Sequence, residues 1–206
     1  MTTPIPGPDG EPRCLWSVAT PELLTYHDTE WGFPVADDRR LFEKLSLEGF
    51  QSGLSWRTIL AKRDNFRVAF DGFDFHRVAR YTEADVERLL QDSGIVRNRS
   101  KIESVVNNAR RAVELVDQED SLAAFVWGYE PDGADLPDPQ TVSTSAASIS
   151  LAKDLKKRGW RFVGPTTVYA FMQAMGLIND HVEHCVTRDE VARARDGFAR
   201  PGVTAR

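Results

Sequence analysis

Two cysteines and four histidines are all the thiol and imidazole side chains that 206 residues supply. Two cysteines make no disulfide framework, so the fold has to rest on a buried core, for which this length suffices. Long apolar runs are missing as well. Nowhere do eighteen consecutive apolar residues occur, and the first twelve, with Pro4, Pro6, Pro8 and Pro12, hold no run of signal-peptide length. The expectation is a soluble cytoplasmic protein without a membrane partner. An excess of positive charge is also lacking: 26 basic against 31 acidic residues leave a net charge of −5. Averaged over the molecule, that balance gives no support to a nucleic-acid partner, and a DNA reading needs a local basic face. Lys153, Lys156, Lys157, Arg158 and Arg161 offer one; Arg97, Arg99, Lys101, Arg110 and Arg111 offer another. A solvated helix face explains such runs equally well.

Alternating apolar and polar residues are absent too, and what is there instead has helical spacing. Ile102, Val105, Val106, Ala109, Val113 and Val116 fall on one stripe. Val168, Phe171, Met172 and Met175 form a second, with Pro165 suited to a first helical turn and Gly176 to a C-terminal stop. Thr82 with Asp85 reads as a capping box opening a helix through Val86, Leu89 and Leu90, and a further helix spans about 148–158 before Gly159. The fold class is therefore all-α. The stretch from Glu130 to Thr144, with Pro131, Gly133, Pro137 and Pro139, reads as a surface loop separating two helical lobes. Residues 1–12 are expected as a flexible extension, 13–187 as the folded domain, and 188–206 as a tail with a short helix at Val191–Arg195.

The scarce cysteines and histidines are placed suggestively. His181 and Cys185 lie four apart, which on a helix puts both on one face, and Cys14 and His27 lie near the other end of the chain. The four match a closed Cys2His2 structural zinc site. Separately buried thiols, or a Cys14–Cys185 disulfide, are the competing readings. His184 sits beside Cys185 and points elsewhere on a helix, and His76 has no nearby partner.

Glu48 is out of place. Counting from Leu41, it shares a helical stripe with Leu45 and Ser52 where its neighbours are apolar. An inward carboxylate is explained by a satisfied ion pair or by a functional pocket. Three of the five tryptophans, Trp16, Trp31 and Trp56, lie in the first 56 residues with Tyr26 and Phe50. Their faces suit either a tryptophan-rich core or the stacking of a planar base.

The segment YHDTEWGFPVADDRRLFEKLSLEGFQSGLSW, from Tyr26 to Trp56, resembles the signature region of the 3-methyladenine DNA glycosylase I family. The likeness continues through LLQDSGIVRNRSKIESVVNNARRA, similar to that family's helix-hairpin-helix segment, and LKKRGWRFVGPTTVYAFMQAMGLINDHVEHC, covering most of Arg13 to Cys185. It implies a bilobal helical bundle whose hairpin, near residues 84–116, presents backbone N–H groups to DNA phosphates at Gly94, with Arg97, Arg99 and Lys101 adding charge. It implies Glu48, Tyr26 and Trp56 as the residues that recognise an extruded base, with Trp16 and Trp31 as further walls. It also implies structural Zn2+ on Cys14, His27, His181 and Cys185, joining the chain ends. The implied activity is hydrolysis of the N-glycosidic bond of 3-methyladenine in double-stranded alkylated DNA, by a monomer, releasing the free base and leaving an abasic site. A coupled strand-cutting lyase is not expected, because the register of more familiar hairpins puts Asn98 where its lysine would stand. Pro165 stands where the family commonly has a hydroxyl residue, and the hairpin lacks the familiar Leu-Pro-Gly-Val-Gly form. Two competing functions are a noncatalytic DNA-binding module and a zinc hydrolase; inward Glu48 argues against the first, and four protein ligands closing the metal against the second.

Overall fold

A computed structural model describes residues 3–202 of the chain. The described residues hold eleven α-helices: α1 Pro21–Thr29, α2 Asp38–Gln51, α3 Trp56–Leu60, α4 Arg63–Ala69, α5 Phe75–Val78, α6 Glu83–Gln91, α7 Arg99–Val116, α8 Leu122–Trp127, α9 Ala146–Lys157, α10 Pro165–Ala174 and α11 Val186–Asp196. The one departure from an all-helical chain lies in the segment expected as a flexible extension, where β1 (Ile5–Pro6) pairs antiparallel with β2 (Pro12–Arg13).

Side-chain caps start the helices as local chemistry dictates. Asp37 accepts from the Arg40 amide at 2.8 Å to open α2, and Asn98 accepts from the Lys101 amide at 3.1 Å to open α7. Thr82 and Asp85 form the expected capping box of α6, and Pro165 occupies the first turn of α10. Gly176 follows α10 with φ of +81°, and its α-carbon packs so closely on Pro34 that an added Cβ would lie 2.5 Å from the proline nitrogen.

Helix α2 runs through the middle, packed against α7, α8, α10 and α3. Nine of its residues, Leu41, Phe42 and the run from Lys44 to Phe50, are buried, so past its exposed first turn almost nothing of it faces solvent. Ser52, expected on its inward stripe, is instead the exposed residue that ends it. In α7 the buried stripe includes Ala112 and Leu115, while Val113 and Val116 sit at its edge. The Glu130–Thr144 loop does not divide the core: one cluster of buried side chains reaches from Cys14 to Cys185 across the expected lobe boundary. The expected tail is also incorporated, since α11 buries Val191 completely, and Glu130 pairs with Arg195 at 2.8 Å and Arg200 at 2.6 Å. No described helix is long and apolar enough to cross a membrane.

Candidate functional site

A cleft of about 300 Å3 opens beside α2. A 3-10 turn at Leu15–Ala19 brings in Trp16, α1 brings Tyr26, and the chain just after α1 brings Trp31. Lys44, Glu48 and Gln51 come from α2, Trp56 from the first turn of α3, Gln140 and Val142 from the long loop, and Ala170 and Gln173 from α10. The five residues expected around a base therefore converge on one cavity from four separate stretches of chain. Trp16 meets Trp31 edge-on with centroids 5.1 Å apart, and Tyr26 tilts against Trp56 at 5.2 Å.

Glu48 is buried, and its partner is one that the apolar-stripe argument did not find. The Lys44 ammonium, one turn earlier on α2, lies 2.7 Å from the Glu48 Oε1 atom. The same ammonium stands 3.2 Å from the Trp56 ring centroid and 5.1 Å from that of Tyr26. The signal for it was the four-residue spacing between a lysine and a glutamate. Burial drags the Lys44 pKa below its ordinary value, against the pull of Glu48. Burial, reinforced by Glu48, lifts the Tyr26 phenol well above its usual value, so that hydroxyl keeps its proton. Neither the Tyr26 hydroxyl nor the Trp56 indole N–H has a hydrogen-bond partner among the described residues. A buried donor without a partner costs about 1–3 kcal/mol, and a wall that carries two of them is suited to a polar, planar ligand.

The far side of Trp16 and Trp31 rests on a second cluster. One ligand atom each from Cys14, His27 and Cys185 lie within 4.8 Å of one another, all three residues buried and both cysteines free of a disulfide. His27 is oriented from behind: its Nδ1 faces Asp28 Oδ1 at 2.7 Å, and Asp28 is held by the Arg13 Nε at 3.0 Å. Its Nε2 consequently faces the Cys185 Sγ at 3.5 Å. His181 is not within the same tight group, and the helix expected to pair it with Cys185 does not exist, since Cys185 is the residue that precedes α11. The two still meet through a loop, with His181 packed edge-on against His27 at 4.7 Å and against Trp31 at 4.6 Å. Asn179 holds the His181 Nδ1 at 3.0 Å, and the buried Nε2 has no partner among the described residues. Burial drops the His181 pKa to about 3, leaving a neutral imidazole with a free lone pair. The adjacent Cys14 thiol pulls the Cys185 pKa down, while the same contact and burial push Cys14 up. His184, exposed at φ of +66°, stays outside the cluster, and exposed His76 packs on Phe75.

The basic residues expected to meet phosphates fare unevenly. Helices α6 and α7 flank a turn in which the Gly94 N–H donates to Asp92 Oδ1 at 2.7 Å. The Gly94 α-carbon packs against Asn65, where a Cβ would sit 3.1 Å from the asparagine side chain. Arg97 is exposed at the end of that turn. Arg99 is exposed but surrounded by Glu83, Glu87 and Glu103. Lys101 is corrected outright: it is buried, and its ammonium donates to the backbone oxygens of Phe50 and Ser52 rather than facing solvent. In the second basic run Arg158 pairs with Glu119 at 2.9 Å, whereas Lys153, Lys156, Lys157 and Arg161 remain exposed.

The same arrangement has relatives. The profile of the methyladenine glycosylase family matches residues 16–188. DNA-3-methyladenine glycosylase 1 of Escherichia coli K12 is 46% identical over 177 residues, covering 84% of this chain and 95% of that protein. The DNA-3-methyladenine glycosylase of Haemophilus influenzae is 43% identical over 177 residues, covering 84% and 96%. Among solved structures, a variant of 3-methyladenine DNA glycosylase I in complex with 3-methyladenine superposes with a TM-score of 0.80 at 35% identity, covering 85% of this chain and 97% of that one. The Staphylococcus aureus enzyme gives 0.79 at 34% identity, covering 85% and 96%. With its profile match running from the first tryptophan of the cleft to beyond the last cysteine of the cluster, the chain belongs to the methyladenine glycosylase family.

Proposed function

We propose that the chain is a base-excision enzyme that hydrolyses the N-glycosidic bond of 3-methyladenine in alkylated double-stranded DNA, releasing the base and leaving an abasic site. The observation that carries this reading is one buried carboxylate, Glu48, inside an aromatic cleft whose Tyr26 hydroxyl lacks a partner. Methylation at N3 makes adenine cationic and already weakens its bond to the sugar, so the enzyme's main task is selection. The extruded base stacks against Trp56 and Tyr26, with Trp16 and Trp31 closing the wall, and its polar edge meets the Glu48 carboxylate as acceptor. Water attacks C1′ and the base departs. Gel-free quantification of free 3-methyladenine released from methylated duplex DNA by the purified protein tests this; release above the no-enzyme control is expected, and none would refute it.

The DNA is read as bound through the helix-hairpin-helix formed by α6, the turn at Gly94 and α7. Arg97 supplies the phosphate contact least encumbered by carboxylates, because Arg99 must leave three of them to make one.

The second cluster is read as a structural zinc site on Cys14, His27, Cys185 and His181. The donor set fits: two sulfurs and two imidazoles, each imidazole held at its Nδ1 by Asp28 or Asn179 so that Nε2 is left for a metal. The orphaned His181 Nε2 is the specific sign of a missing fourth partner. Bound there, zinc supplies cross-linking of the chain ends and no chemistry. Two unpaired cysteines so close together agree with a reducing compartment such as the cytoplasm.

A further inference from the structure

Lys44 is the charged group in the cleft that base excision leaves without a part. It is buried on α2, and the partners of its ammonium are the Glu48 carboxylate at 2.7 Å and the Trp56 face at 3.2 Å. Atoms of a base stacked on Trp56 would lie about 3.5–4.0 Å from the ring, the layer in which this ammonium sits. The carboxylate that would receive the base's polar edge is the one it already neutralises. On that face of Trp56 and at Glu48 Oε1 the ammonium and a base compete for the same space.

We propose that Lys44 is a specificity-determining residue: an internal cation that occupies the stacking face of Trp56 and the carboxylate of Glu48, is displaced by the incoming base, and sets how strongly the cleft prefers a charged base. The inference rests on the base-excision reading. Because the stretch of α2 that carries it is buried, a displaced Lys44 stays on its four-carbon tether at the cleft, and its charge stays with it. A neutral base pays only for the displacement. A cationic base also meets the repulsion of the ammonium, which offsets the attraction of Glu48 and of the aromatic faces. A Lys44 that served only as a structural partner of Glu48 would act on charged and neutral bases alike.

The test compares two probes, neutral 3-methyladenine and the permanent cation 3,9-dimethyladeninium, titrated at pH 8 into wild type, Lys44→Gln, Lys44→Met and Lys44→Arg. Gln keeps a donor for Glu48 without the charge, Met removes both, and Arg keeps the charge; near-ultraviolet dichroism verifies each fold. The cation-to-neutral affinity ratio is expected to rise about tenfold or more in Lys44→Gln and Lys44→Met, and to stay at the wild-type value in Lys44→Arg. A ratio unchanged in the charge-free variants overturns the proposal. In unaltered protein carrying 13C-ε lysine, the Lys44 resonance, shifted by the Trp56 ring current, is expected to move toward its free value when either probe binds. If it stays put while the probe binds, displacement is refuted and base binding stands. Failure of both probes to bind any form overturns the base-pocket reading along with this one.

Discussion

The Lys101 ammonium, in the first turn of α7, donates to the Phe50 backbone oxygen across 2.8 Å and so ties the start of one helix to the end of another, the one that carries Glu48. A cation at a helix C-terminus meets the negative end of the helix dipole and satisfies carbonyls that the helix leaves unpaired. Lys101→Met is expected to cost about 2–3 kcal/mol of unfolding free energy, the worth of hydrogen bonds to a charged group, read from urea denaturation. Borohydride trapping on methylated DNA is expected to yield no protein–DNA adduct, because this amine is engaged inside the protein. An adduct that disappears in the variant would show a lyase.

Glu48→Gln is expected to weaken binding of free 3-methyladenine by about tenfold to a hundredfold, since an amide that also donates replaces a charged acceptor. Far-ultraviolet dichroism should be unchanged. Equal affinities for the two proteins, by calorimetric titration, would exclude the carboxylate from base recognition.

One zinc per chain is expected from metal analysis of protein purified without added metal. Cys185→Ser, or chelation, should lower the thermal midpoint by about 5 °C or more, as a ligand bridging distant segments is lost. Tryptophan fluorescence should shift in the same samples, because Trp31 packs on His181 and Trp16 on His27. Metal-free protein with the wild-type midpoint would remove the staple.

Gly176→Ala tests the backbone that seats α10. The residue has φ of +81°, and a Cβ there would meet Pro34 backbone atoms at 2.5 Å, so both strain and overlap oppose the change. A loss of about 3 kcal/mol or more is expected in denaturant unfolding. A loss below about 1 kcal/mol, the ordinary cost of a benign substitution, would mean that this turn relaxes freely.

Asp9 gives a pH signature for the N-terminal ladder. Its carboxyl is pulled from 3.8 down to about 2, chiefly by the Arg13 guanidinium that it bonds at 2.6 Å. A depressed folded-state value means stability present above the unfolded value and lost as pH falls. The thermal midpoint of wild type should therefore drop relative to Asp9→Asn only between about pH 4 and 2, with a constant offset at higher pH. Parallel curves throughout would show that this pair does not help hold the β1–β2 turn closed.

The helices of this protein were readable where a single local rule suffices. The Thr82–Asp85 box, Pro165 and Gly176 are such places, each acting through its own backbone neighbours. Stripe reasoning put Glu48 inward on α2, where it lies, but it presumes that the residues off the stripe are wet, and Lys44 is buried too; Lys44 was hidden for that reason, although its spacing to Glu48 was plain. The cysteines and histidines were identifiable by scarcity, but the helix assumed for His181 and Cys185 was wrong: a loop with His184 in a left-handed turn brings the segment to Cys14 and His27. Charge counting misjudged Lys101, which is buried against the end of α2, because sequence gives the sign of a side chain and not its company. Gln140, which lines the cleft and donates to the Cys14 sulfur at 3.0 Å, lay in a proline-rich loop without any periodicity to point it out.

The contact between His27 and Cys185 joins positions 158 residues apart in the chain. Polypeptides are made from the N-terminus at about 5–20 residues per second, so roughly ten to thirty seconds pass between the synthesis of these two groups. Through that interval Trp16, Tyr26 and Trp31 have already been made and have one another, His27 and Trp56 to pack on, but not His181. The wall of the cleft is thus synthesised early, and its backing from the His181–Cys185 segment arrives only with the last part of the chain.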